Sequence, residues 1–306
     1  MEIISVEKQK HKKIEKKQKI NLIFIWSMLL IPILQWLVFY LYVNLDSFVL
    51  AFRKLDGTWT TGYIGAAWHE LTTGGSVLWG ALKNTFIYFV KDLLMIPFQL
   101  IIAYFLHKKI AGSKFFRIMF YLPSLISGVV MVTVYSTMIA PYGPVGQLIK
   151  SVWGACPSFL SDSRYATWAI VIYTIWLGWG GNMLIFGGSL ARIPTDLFEA
   201  ARLDGITPFK EIVYLILPLM WPTLSTVLIL NLTGLFGAGG PILLFDSAKL
   251  NVGIDTLGFW MFEKIWKNGA AAYNEVSATG LILTLIGAPV ILLLRRLIDK
   301  VPKAEY

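Results

Sequence analysis

The sequence predicts an all-α integral membrane protein with six transmembrane helices. Both termini are placed in the cytoplasm, and a short cytoplasmic helix lies between spans four and five. Three observations predict it. The 306 residues are 56% hydrophobic and only 15% charged, with a mean hydropathy of +0.65, whereas a soluble domain carries about a quarter charged residues. Six apolar runs are long enough to cross a bilayer, since roughly 20 helical residues at about 1.5 Å each cover the ~30 Å hydrocarbon core. Lys and Arg crowd the segments on one side of those runs.

The first span, about 21–45, follows a Lys-rich tail over 1–20. That arrangement imitates a secretory signal, but the run is too long for a signal core and no small-x-small cleavage site follows, so it reads as a retained anchor. The remaining spans are expected at about 77–106, 116–140, 166–190, 212–237 and 276–294, giving one membrane domain over 21–306. With the N-terminus inside, the inner segments hold eighteen Lys and Arg and the outer loops seven, while Lys83 and Lys91 fall within the second span. This asymmetry satisfies the positive-inside rule. The net charge of +9 follows from the topology, and the tail is read as contact with anionic membrane lipids rather than nucleic acid. Cys156, the sole cysteine, falls in an outer loop and has no intrachain partner.

Moving a solute against a gradient needs an energy source, and none is legible. GxxxxGK[ST] does not occur; the nearest approach, GSVLWGAL from Gly75, lacks the lysine. The glycines of GWGGN and GAGGP do not form GxGxxG, and His11, His69 and His107 are scattered without metal-ligand spacing. No catalytic residues, metal ligands or cofactor-binding residues are expected on this chain, and ATP chemistry falls to a partner.

Between spans four and five the sequence reads LFEAARLDGITPFKEIVYLILPL from Leu197. Asp196 is expected to cap a first helix with Glu199 as its capping-box partner. Gly205 fits the left-handed position that ends it. Thr207 then caps a second helix with Pro208 at its first position, running on into the fifth span. Small Ala200 and Ala201, apolar Leu197, Phe198 and Leu203, and charged Glu199 and Asp204 suit a docking knob; an amphipathic helix lying on the membrane remains the alternative.

This stretch resembles the EAA loop of permease subunits in ABC importers, patterned EAA, three residues, Gly, nine residues, Ile-x-Leu-Pro. Glu199, Ala200, Ala201, Gly205, Leu217 and Pro218 match, with Leu215 where the pattern has Ile. Asn84-Thr85, FFRIMFYLPSLISG and YGPVGQLI are similar to carbohydrate-importer permeases, above all those for oligosaccharides and polysaccharide fragments. The resemblance implies a plasma-membrane permease working by ATP-driven alternating access. It implies two copies of an ATP-binding subunit, which bind the ATP and Mg, a second permease subunit of paralogous type, and an extracytoplasmic solute-binding protein that delivers the carbohydrate. Glu199, Ala200, Ala201, Asp204 and Gly205 would couple to the ATPase.

In the fourth span, YTIWLGWGGN places Tyr173, Trp176, Trp179 and Asn182 at three-residue spacing, on one helical face. Indole faces stack on the C–H side of sugars and an amide serves hydroxyls, so these residues, with Asn231 and Thr233 of the fifth span, are candidates for a substrate path. Packing of the rings against Gly178 and Gly181 is the alternative. Lys91 and Asp92 are expected to face a cavity or a partner rather than each other. Two other readings stay open: a permease for another polar solute such as glycerol phosphate, and a membrane enzyme acting on lipid-linked sugar.

Overall fold

The computed structural model describes residues 19, 21–54, 56–237, 241–246 and 253–301. The Lys-rich tail, apart from Lys19, lies outside the described residues. Six helical stretches, Asn21–Phe52, Val77–His107, Gly128–Trp153, Ala166–Leu190, Pro208–Thr233 and Leu257–Asp299, are long and apolar enough to cross a membrane, and all regular elements among the described residues are helices. In chain order these elements are α1 (Asn21–Phe52), α2 (Gly62–Thr72), α3 (Val77–His107), α4 (Ser113–Leu125), α5 (Gly128–Ile139) and α6 (Pro144–Trp153). They continue as α7 (Ala166–Gly178), α8 (Met183–Leu190), α9 (Thr195–Leu203), α10 (Pro208–Thr233), α11 (Ile242–Asp246), α12 (Leu257–Asn268) and α13 (Tyr273–Asp299).

The 31-residue α3 is the mast of the bundle. Its start is set by Ser76, whose hydroxyl accepts the Trp79 amide at 3.0 Å. From its N-terminal to its C-terminal end α3 contributes to three buried clusters. Leu78 and Ala81 pack with α2, α12 and α13, Tyr88 with α5, α7 and α11, and Ile96, Leu100, Ala103 and Tyr104 with α8 and α10. Polar side chains of α3 also bind backbone that has no helical partner. Asn84 donates to the carbonyls of Gly253 and Asp255 at 2.8 and 2.9 Å, and the Thr85 hydroxyl accepts the Leu257 amide at 2.8 Å. Such bonds matter more in a bilayer, where no water is present to replace them.

The third and fourth spans depart from expectation. The third, read as one helix over 116–140, is split into α4 and α5 by Ile126, whose backbone is extended. Ser127 and Gly128 propagate helix poorly, and Pro123 has already removed one backbone bond from the preceding turn. The fourth breaks between Gly178 and Asn182. A Cβ on Gly180 would stand 2.6 Å from the Phe120 carbonyl oxygen, so glycine is required where α4 crosses the break. The fifth is continuous with the helix that begins at Pro208, as expected, and widens to a π-type turn over Ile212–Ile216. Pro218 cannot donate to the carbonyl four residues before it, and the wider turn absorbs that loss.

Candidate functional site

The elbow between α9 and α10 is built as a locked corner. Its first helix starts at Thr195 with Pro194 at the cap, and no side chain caps it. Asp196, expected as the cap, lies instead in the first turn, where its charge still suits the positive end of the helix dipole. The far end closes as a Schellman motif: Ile206 N donates to the Ala201 carbonyl and Gly205 N to that of Arg202, both at 3.1 Å, with Gly205 at φ +66°. Thr207 then takes the cap position of α10 with Pro208 at the first position, as expected, but its hydroxyl makes no capping hydrogen bond.

Orientation of α9 is decided by its amphipathicity. Leu197 and Phe198 turn inward onto the cluster of α3, α8 and α10, and Ala201 is buried with them. Glu199, Ala200, Asp204 and Gly205 are exposed. So are two large apolar side chains, Leu203 at 90% and Phe209 at 75%. Leu203 and Phe209 are thus the large apolar side chains that the elbow leaves exposed, while Leu197 and Phe198, expected among its docking contacts, pack against the bundle.

Behind the elbow lies a pair absent from the sequence reading. Lys108, just past the end of α3, forms an ion pair of 2.5 Å with Glu211 in the first turn of α10, whose side chain is only 3% exposed. The Lys108 ammonium also lies 5.0 Å from the centre of the Tyr104 ring. Burial opposes its charge, yet the hydrogen bond and charge of Glu211 prevail and hold Lys108 above the usual lysine value. One residue earlier, His107 lies 5.7 Å from the Phe198 ring of α9.

The membrane-embedded candidates are scattered rather than stacked on one face, because the helix breaks after Gly178. Tyr173 is fully buried, with its ring 5.1 Å from Tyr135 and 5.2 Å from Phe245. Asn182 gives its amide to the Gln99 side chain at 2.7 Å, and Gln99 in turn donates at 2.6 Å to the Gly178 carbonyl, which also accepts the Gly181 amide at 3.1 Å. Asn231 donates to the Val227 carbonyl within its own helix. Trp176 is 36% exposed, and Trp179 stands between Phe98 and Phe120, bordering a cleft of ≈ 510 Å³ with Phe86, Lys91 and Trp168. Contrary to expectation, Lys91 and Asp92 pair with each other. Adjacent helical positions diverge, but the long lysine stem folds back, and two separated charges at this depth would be worse.

The family described as binding-protein-dependent transport system inner membrane component matches residues 94–304. Protein LplB of Bacillus subtilis is 25% identical over 268 residues, covering 85% of this chain and 84% of that one. The lactose transport system permease protein LacF of Rhizobium radiobacter is 30% identical over 228 residues, 70% of this chain and 72% of the relative. The arabinooligosaccharides transport system permease protein AraP of B. subtilis is 24% identical over 83% of this chain and 82% of its own length. In fold, a chain of a bacterial ABC transporter involved in import of the acidic polysaccharide alginate superposes with a TM-score of 0.78 at 20% identity, covering 94% of this chain and 99% of that one. With six membrane-crossing helices and a family match over most of its length, the chain belongs to the binding-protein-dependent transport system inner membrane components and is a multi-pass membrane transport subunit.

Proposed function

We propose that this chain is the permease subunit of an ABC importer that carries a carbohydrate, an oligosaccharide, across the plasma membrane by ATP-driven alternating access. The observation that carries the reading is the elbow. Glu199, Ala200, Asp204 and Gly205 stand exposed beside Leu203 and Phe209, while Leu197, Phe198 and Ala201 anchor the same helix to the bundle. A small protruding surface with apolar and acidic groups, rigidly attached behind, suits a groove on a moving ATPase. Ala201 supports coupling from within, since its methyl lets α9 lie close to the core.

In this reading both termini and the elbow are cytoplasmic, as the Lys and Arg distribution favours. Two copies of an ATP-binding subunit hold the ATP and Mg, a second, paralogous permease completes the path, and an extracytoplasmic solute-binding protein delivers the sugar. The similarity to LacF, a lactose permease protein, and AraP, an arabinooligosaccharides permease protein, supports a carbohydrate cargo. Of the proposed path residues, Trp176 and Trp179 border clefts, whereas Tyr173 packs among buried rings, Asn182 bonds Gln99 of α3 and Asn231 bonds the Val227 carbonyl of its own helix.

The test is uptake of a panel of labelled oligosaccharides by the assembled importer in vesicles. At least one oligosaccharide is expected to accumulate only with ATP, and Trp179→Ala should slow that uptake without reducing the amount of complex. Accumulation of glycerol phosphate and of no sugar would overturn the carbohydrate reading.

A further inference from the structure

We propose that the Lys108–Glu211 ion pair is a joint through which movement of the elbow is delivered to α3, making both residues positioning residues for transport. The inference rests on the coupling role proposed for the elbow and names how that role reaches the rest of the bundle.

The argument is mechanical. The elbow continues covalently into α10, but α3 is the helix that touches all three buried clusters. Displacing α10 alone would let its apolar side chains slide past α3, because dispersion contacts have little directional preference. An ion pair between groups 103 residues apart in sequence does not slide. Glu211 is buried, its second carboxylate oxygen has no partner among the described residues, and the attraction is therefore poorly screened. Parting the two charges leaves Glu211 uncompensated in a dry site, which opposes separation strongly.

A second contact turns a tether into a lever. Phe198 on the first limb meets His107, and Glu211 on the second limb meets Lys108. Both limbs thus grip consecutive residues at one end of α3. Attachment at one point passes only a pull, whereas attachment at two points also passes a rotation. Tyr104, one turn back along α3, lies against the same ammonium and keeps it directed at α10.

The experiment uses the full importer in vesicles, reading ATP hydrolysed per sugar moved together with the amount of ATPase co-purifying. Lys108→Met and Glu211→Gln are each expected to raise the ratio by about threefold or more, the scale of single-residue coupling effects, with assembly retained. The exchange Lys108→Glu with Glu211→Lys should restore most of the ratio. Should single variants assemble poorly, cysteines placed at 108 and 211 in a Cys156→Ser background and joined by a short bis-thiol reagent keep the idea testable. A joint that stays closed through the cycle predicts continued transport after joining. Unchanged ratios in both single variants, or arrest of transport by the bridge, would overturn the joint. Gly205→Pro run alongside separates the two ideas: if it too leaves the ratio normal, the coupling role of the elbow itself is lost.

Discussion

Gln99 satisfies both sides of the break between α7 and α8, its amide nitrogen on the Gly178 carbonyl and its oxygen on Asn182. Water cannot serve those groups inside a bilayer. Gln99→Leu, similar in bulk, removes the acceptor of the Asn182 amide and one of two donors to the Gly178 carbonyl, and should destabilise by about 1 kcal/mol, the net worth of a lost hydrogen bond. Thermal unfolding of the detergent-purified chain reads this directly, and an unshifted midpoint would remove Gln99 from that role. Nothing in the sequence around Gln99 announces this. An isolated glutamine in a greasy run is legible as unusual, but its partners lie 79 and 83 residues away. The same limit applies to Asn182, whose spacing from Trp179 suggested a shared face until the break turned it towards α3. Trp176 and Trp179, by contrast, border clefts, a place that their residue type alone made plausible.

Among the elements, the elbow was the most legible. Gly205, Thr207 and Pro208 each carry a strong local preference, and the corner forms where those preferences place it. Local chemistry did not determine which side of α9 faces the bundle, and so Leu197 and Phe198 were assigned to docking when they fasten the helix. Gly205 sits at φ +66°, and proline locks φ near about −65°. Gly205→Pro should thus wreck the corner while leaving every membrane-crossing segment intact. The expected outcome is normal insertion with ATP hydrolysis no longer tied to sugar uptake. Ordinary uptake per ATP by that variant would contradict the lever.

For the whole molecule, orientation gives an accessible test through Cys156, a half-buried thiol in the loop between α6 and α7. A membrane-impermeant maleimide should label it on intact cells; labelling only after permeabilisation would invert the proposed topology. The sequence by itself determined the helical membrane class, the number of membrane-crossing stretches, and the corner at Gly205. These depend on the free energy of moving a contiguous apolar segment out of water and on turn preferences of single residues, both local quantities. Only the tertiary structure decided that α3 is the mast, that the third and fourth spans are broken, that Lys91 pairs with Asp92 and that Lys108 meets Glu211. A helix break or a buried charge is tolerable only if groups distant in sequence satisfy it, and that condition can be evaluated only once the helices are packed.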